Sequence, residues 1–335
     1  MAQDYASAVR AGTMEAGRLH RELGTRDEVA SLGGHIDVFA AIHALHLPLL
    51  LRPLDGLLGA YLNEPSPGVL VTTQRPMSVQ RFTAAHELGH FRMGHKPSLD
   101  DENILRRTPN SPEPTTEFQE TEADSFAIAF MMPKWLIHSH CQRQGWTASD
   151  LAEPAVVYQL SLRLGASYEA TARTLHRYRI VSRDVQDRLL ARRRRDLKAA
   201  LLNDYTPENY RGDVWLLTEK DAGTRIDGSH HDHFVLSLEE RSGGGYLWDL
   251  DRLKASGLAV VRDERETRDT EGIGASVMRR VTAAASPERG TVSLAEKRPW
   301  DPGTLHTDLT FDFDFTGPEQ EGLSRAERRH LLQAA

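Results

Sequence analysis

The sequence predicts an α+β chain of several domains: helices with a small antiparallel sheet first, a helical middle region next, and an all-β sandwich last. Three observations carry that prediction. At 335 residues the chain is too long for one compact core. Apolar residues recur at helical spacing as far as Leu202, and from Val214 onward short β-like runs replace them. A composition of 39% hydrophobic and 27% charged residues belongs to a soluble globular protein, and no apolar run approaches the length that crosses a bilayer.

The opening segment, MAQDYASAVRAGTMEAGRLHREL, reads as an amphipathic helix and lacks the basic-then-apolar order of a secretory leader, so the protein is expected in the cytoplasm. A single cysteine, Cys141, allows no internal disulfide, and a metal site would draw on histidine and carboxylate. The net charge of −7 opposes nonspecific nucleic-acid binding by the chain as a whole.

After Gly33-Gly34, residues Ile36, Phe39, Ala40, His43 and Leu47 recur at helical spacing and define a second helix. LPLLLRPL, GAYLN and GVLVTT follow, divided by Asp55-Gly56 and NEPSPG, as in a small antiparallel sheet. The next helix starts after RPMS, with Ser78 as N-cap, and fades near Met93-Gly94. Between Lys96 and Thr116 the residues are those of a long exposed loop, placed to act as a lid. ETEADSFAIAFMMP is a helix that ends at Pro133, where the ring removes a ladder donor.

From Trp146 to Leu202 the pattern is helical, and the LGAS break gives a helix-turn-helix outline. NDYTPENYRGD reads as a linker. Six or seven β-like runs from VWLLTE to LHTDLTFDFDF predict a sandwich, and LSRAERRHLLQAA a short helical or frayed tail. The expected units are 1–140, 141–202, a linker at 203–213, the sandwich at 214–318 and the tail at 319–335.

RFTAAHELGHFRMGH carries the chemistry. Residues four apart stand one above the other on a helix, so His86 and His90 share a face at a spacing that suits one tetrahedral Zn2+. Glu87 lies about 100° around the helix, where it misses the cation but can take a proton from a water that zinc has acidified. A catalytic zinc keeps three protein ligands and one open position. In ETEAD the third is assigned to Glu122 rather than Glu120, because Phe126, Ala129 and Phe130 follow Glu122 at i+4, i+7 and i+8 and turn it toward the core. Asp124 is expected to hold the other ring nitrogen of a ligand histidine. His95 is expected off the ligand face, at the helix end.

These residues resemble the ImmA/IrrE family of bacterial zinc metallopeptidases. QRFTAAHELGHFRMGH, ETEADSFAIAFMMP, IDVFAAI and GAYLN…PGVLVTT occur in the order that family shows, over about residues 10 to 180. The resemblance implies a reduced zincin-like fold, zinc on His86, His90 and Glu122, and Glu87 as general base. It also implies site-selective cleavage of a repressor-type transcription factor in stress response or mobile-element control. In such folds an edge strand takes substrate as an added strand, and GAYLN is the expected one. Its Tyr61 either donates to the tetrahedral oxyanion or packs on the sheet.

RSGGGYLWDL, EGIGAS and KRPWDP, in that order, resemble the three loop motifs of chagasin-type inhibitors of papain-like cysteine proteases, a resemblance that implies an immunoglobulin-like sandwich over about 214–318. The first loop departs from the inhibitors' Asn-Pro-Thr-Thr pattern with Arg241-Ser242-Gly243-Gly244, and Ala275 replaces a glycine in the second. Gly244, Gly245, Tyr246, Gly272, Gly274, Arg298 and Trp300 are the expected partner-binding residues, in a domain that recognises or senses a protein. Arg173, Arg177, Arg179 and the run Arg192 to Arg195 could meet phosphate, but solvated helix faces are the favoured reading. His230, His231 and His233 read as turn chemistry, and Cys141 as a structural thiol. The competing reading is a binding protein that acts through its β-domain while the zinc domain is structural.

Overall fold

The computed structural model of the chain describes residues 4–101, 118–203, 205–267, 277–284 and 289–334. The N-terminal half begins with α1 (Tyr5–Leu23), α2 (Thr25–Leu32) and α3 (Val38–Ala44). Strands β1 (Leu49–Arg52), β2 (Leu57–Leu62) and β3 (Gly68–Thr72) follow, then α4 (Met77–Met93), β4 (Ser98–Asp101) and α5 (Gln119–Met131). Helix α4 begins at Met77 with Pro76 at its N-cap, two residues ahead of the expected Ser78, and ends on the left-handed Gly94.

The sheet order is β1-β3-β2-β4, and the sheet is mixed rather than antiparallel. Strands β2 and β3 form the expected hairpin, but β1 pairs with β3 in parallel. Two reversals of the chain bring β3 back to the direction of β1, and β2 takes the outer place, so β3 becomes the central strand. Strand β4 then pairs antiparallel with β2, matching Tyr61 to Ser98, Ala60 to Leu99 and Gly59 to Asp100. The expected free edge at GAYLN is therefore occupied by the chain itself.

Helices α6 (Lys134–Gln144), α7 (Pro154–Arg163), α8 (Tyr168–Arg177), α9 (Arg183–Leu190) and α10 (Arg194–Leu202) complete the helical region. Their apolar residues join those of the first half in one hydrophobic cluster. Helix α8, second of the helix-turn-helix outline, buries Tyr168, Thr171, Ala172, Thr174 and Leu175, and its Arg177 donates to Ser125 of α5 at 2.9 Å. Arg192 to Arg195 are exposed, and Arg195 lies over the Tyr210 ring.

The C-terminal half contains β5 (Val214–Leu217), β6 (Arg225–Asp227), β7 (His233–Glu240), β8 (Leu247–Asp249), α11 (Asp251–Ala255), β9 (Ala259–Thr267), β10 (Val277–Ala284), β11 (Arg289–Arg298) and β12 (Asp301–Asp314). Two four-stranded sheets, β5-β7-β10-β9 and β6-β12-β11-β8, enclose a second cluster centred on Phe234, Leu236, Val281, Leu294, Leu309 and Phe311. Strands β6 and β10 carry no clear signal in the sequence. The first is three residues long, and adjacent Arg279 and Arg280 interrupt the apolar alternation of the second.

The halves meet in a seam of buried polar groups. The Gln159 amide donates to Val214 O and accepts from Leu216 N, both at 2.8 Å, and so covers the outer edge of β5 as another strand would. Arg163 donates at 2.8 Å to Asp221, which also accepts from Gln144. His140 donates through Nε2 to Gly34 O at 3.0 Å, and burial with Arg163 nearby pushes its pKa down to about 4.

The tail is docked rather than frayed. Gln80 of α4 donates to Glu319 O and accepts from Glu319 N, Gly322 bridges Leu51 of β1 in both directions, and α12 (Arg325–Ala334) packs on α3. Arg325 binds Glu319 and Asp314, and Arg329 reaches Asp37. Removing residues 319–335 uncovers the buried Gln80 amide and should lower unfolding stability by about 2–3 kcal/mol in urea titration.

The seam also sets an acid sensitivity. The depressed pKa of His140 means the folded state holds this proton less readily than the unfolded chain does. Its contribution is present above the unfolded value and is lost as pH falls from 6.5 toward 4. Urea titrations at pH 7 and pH 5 should show the wild type losing about 2 kcal/mol more over that interval than His140→Gln, which keeps a donor.

Candidate metal centre

Helix α4 presents its working residues from within the fold. His86, Glu87 and His90 are each fully buried between the sheet and α5. The two Nε2 atoms lie 2.9 Å apart. Glu120 of α5 completes the group, 3.4 Å from His86 Nε2 and 3.7 Å from His90 Nε2. Among the described residues these three form the group whose donor atoms converge, all within 4.8 Å of one another.

The donor set fits zinc. Two imidazoles at metal–nitrogen distances near 2.0–2.1 Å and a tetrahedral angle put their nitrogens about 3.3 Å apart, close to the spacing found here. Nitrogen and carboxylate donors are also the ligands of catalytic rather than purely structural zinc. The histidines are sealed, whereas the Glu120 side chain is 20% exposed, which leaves that side of the group open to water and substrate.

The third position differs from the expectation by two residues. Glu122 does not join His86 and His90, because two residues along a helix are about 200° of rotation. Glu122 faces away from Glu120, and its Oε2 meets His95 Nε2 at 2.8 Å. Helix α5 is buried on more than one side, so the apolar positions Phe126, Ala129 and Phe130 did not identify the side that faces the histidines. Asp124 carries the missed signal. It lies 2.9 Å from His86 Nδ1, and the residue that shares its face one turn earlier is Glu120.

His95 stands just beyond the C-cap of α4, and its Nδ1 is 3.0 Å from His90 Nδ1. The chain of contacts fixes the protons. With Glu122 accepting from His95 Nε2, His95 Nδ1 accepts from His90 Nδ1, and His90 Nε2 keeps its lone pair for a cation. Asp124 does the same for His86.

Strand β2 passes directly over these residues. Gly59 lies against the Glu87 carboxylate, and the Tyr61 ring stacks over His90 with centroids 6.5 Å apart. Burial raises the Tyr61 pKa, which keeps its hydroxyl protonated as a donor.

At the far end of the sandwich, Arg298 donates to Gly244 O at 3.2 Å and lies over the Tyr246 ring, and Trp300 covers Gly245 while remaining 71% exposed. The loop is braced from below by two buried carboxylates. Glu296 accepts from Arg241 N and Glu240 from Trp248 N. Gly272 and Gly274 lie outside the described residues. His230 and His231 meet with their rings tilted at an exposed turn, 3.9 Å between centroids, and Cys141 is buried.

Substitution should separate the two glutamates. Glu120→Gln is expected to weaken zinc affinity at least a hundredfold in a chelator competition, and Glu122→Gln about tenfold. The reverse order would return the third ligand to Glu122.

Two segments of the chain match known families. Residues 42–176 match the IrrE N-terminal-like domain, a peptidase family, and residues 229–315 match the Chagasin family peptidase inhibitor I42. No curated protein matches the chain. Among solved structures, the cysteine protease inhibitor EhICP2 from Entamoeba histolytica is 19% identical, covers 32% of this chain and 99% of its own, and gives a TM-score of 0.28. Amebosin is 20% identical, covers 30% of this chain and 96% of its own, and gives a TM-score of 0.26. No helix among the described residues is long and apolar enough to cross a membrane.

Proposed function

We propose that this chain, whose residues 42–176 match the IrrE N-terminal-like peptidase domain and whose residues 229–315 match the Chagasin family peptidase inhibitor I42, is a zinc-dependent metalloendopeptidase that acts on a regulatory protein in the cytoplasm. The observation that carries this reading is the convergence of His86, His90 and Glu120 beside Glu87 on a buried helix.

Zinc held by these three side chains would polarise the scissile carbonyl and acidify an attacking water. Glu87 is placed to take a proton from an attacking water and to return it to the leaving amine. Its burial against β2 keeps the carboxylate fixed at the strand where an extended peptide would lie. Asp124 and the His95–Glu122 pair hold the histidine rings in the tautomer that binds a cation. Tyr61, protonated and directly over His90, is the candidate donor to the oxyanion.

The proposed substrate is a helix-turn-helix repressor, whose cleavage would relieve repression. The sandwich tip, with Trp300 as an exposed anchor beside Arg298 and Tyr246, would recognise that protein or one that regulates access. The same exposed tip favours the second reading, a binding protein with a non-catalytic metal domain.

Glu87→Gln distinguishes them. Zinc content should remain at one per chain, and cleavage of a co-expressed repressor encoded beside this chain should fall 10²–10⁴-fold, the range for loss of a general base. Undiminished cleavage or biological function in Glu87→Gln refutes the enzymatic reading.

A further inference from the structure

Strand β2 is fixed to the candidate site at two points, Gly59 against Glu87 and Tyr61 over His90. The backbone on one side of β2 is taken by β3, and the other side, opposite Gly59, Ala60 and Tyr61, is taken by β4. An extended peptide that adds to β2 must use the same backbone groups and run in the same strip of space. We propose that residues 98–101 hold the substrate's place in the resting protein, and that an extended, unfolded segment gains the site only by displacing β4 from β2. This rests on the peptidase reading and adds a control to it.

The energetics favour exchange over permanent closure. Displacing β4 trades one set of strand hydrogen bonds for another, so the backbone contribution nearly cancels. Strand β4 is four residues long and outermost in the sheet, the kind of element that opens at low free energy. Its release requires no change at the metal ligands. His95 is held by His90 and Glu122, so the chain can hinge just after it, at Lys96-Pro97. Selectivity follows, because with the backbone bonds equal, the incoming segment must win through its side chains. A folded protein offers such a segment only where its chain is extended and exposed, as in a linker.

The test uses the full chain loaded with zinc and fluorescein-labelled casein as an unfolded probe. Leu99→Pro removes a backbone donor from β4, and the milder Asp100→Gly lowers its strand preference; circular dichroism and zinc content confirm that each is folded and loaded. Casein cleavage that depends on Glu87 should rise at least tenfold over wild type in Leu99→Pro and less in Asp100→Gly. Hydrogen exchange on Glu87→Gln should show residues 98–101 losing protection when casein binds while 59–62 keep theirs. Equal cleavage rates in wild type and both variants, retained protection at 98–101 in the casein complex, or no exchange response at either strand overturns the displacement. Absence of cleavage in every zinc-loaded variant overturns the peptidase reading instead, and the exchange data on Glu87→Gln still decide the strand question.

Discussion

Helix α5 lies in a slot between α1 and α4 whose width is set by two glycines. A Cβ on Gly89 of α4 would stand 3.1 Å from Ala123 Cα and Phe126 Cδ1, and one on Gly12 of α1 would collide with the Glu122 carbonyl. Any side chain at either position moves α5 outward by several tenths of an ångström. Metal–ligand distances tolerate only about 0.2 Å, so the close approach of the three helices is a condition for Glu120 to share a cation with His86 and His90. The charged contacts reinforce it. Arg92 near the end of α4 is clamped by Glu15 and Glu22 of α1, both at 2.8 Å, which ties the helix before the site to the helix that carries it.

That slot explains why so many ionisable groups tolerate burial together. Two histidines and a glutamate with no water around them would each cost several kcal/mol if left to themselves. Each histidine is instead met by a neighbour of the right sense: Asp124 Oδ1 lies 2.9 Å from His86 Nδ1, and His95 relays between His90 and Glu122. The three carboxylates of α5 divide into two jobs by helix geometry alone. Glu120 and Asp124, one turn apart, address α4 at the two Nε2 atoms and at the Nδ1 of His86, while Glu122, on the opposite side, addresses the residue after the helix.

Much of this was legible in the sequence. HELGH announced its helix and the shared face of His86 and His90 because the i, i+4 rule is local. The sandwich was legible because alternation and turn spacing are local as well. The parts that were not legible depend on which face meets which. The sequence shows that α5 is apolar but not that it is buried on two sides, and this led to Glu122 in place of Glu120. Assigning Asp124 to a ligand histidine already implied Glu120, since only a residue four earlier shares its face. Strand β4 was hidden for a different reason. SLDD has the composition of a loop, and what makes it a strand is the unpaired edge of β2 beside it. The tail was hidden because its partners, Gln80 and Leu51, are more than 230 residues earlier in the chain.

The same long-range contacts decide how the two halves can cooperate. A sandwich joined by a flexible linker would deliver a captured protein to the site only as an effective concentration. Here the linker is pinned, with Lys198 donating to Gly212 O at 2.7 Å, and the seam is closed by Arg163–Asp221 and the Gln159 amide. Strand β12 then runs from beside Trp300 to Asp314, and the segment after it returns to Gln80, six residues before His86. The buried Arg163–Asp221 pair, the Gln159 amide and the docked tail tie the halves together at separate points. These ties restrict how the tip around Trp300 is placed relative to Glu87. A protein held there presents some stretches of its chain to the site and not others. The selectivity of such an enzyme would come from this restricted placement as much as from the residues around the scissile bond.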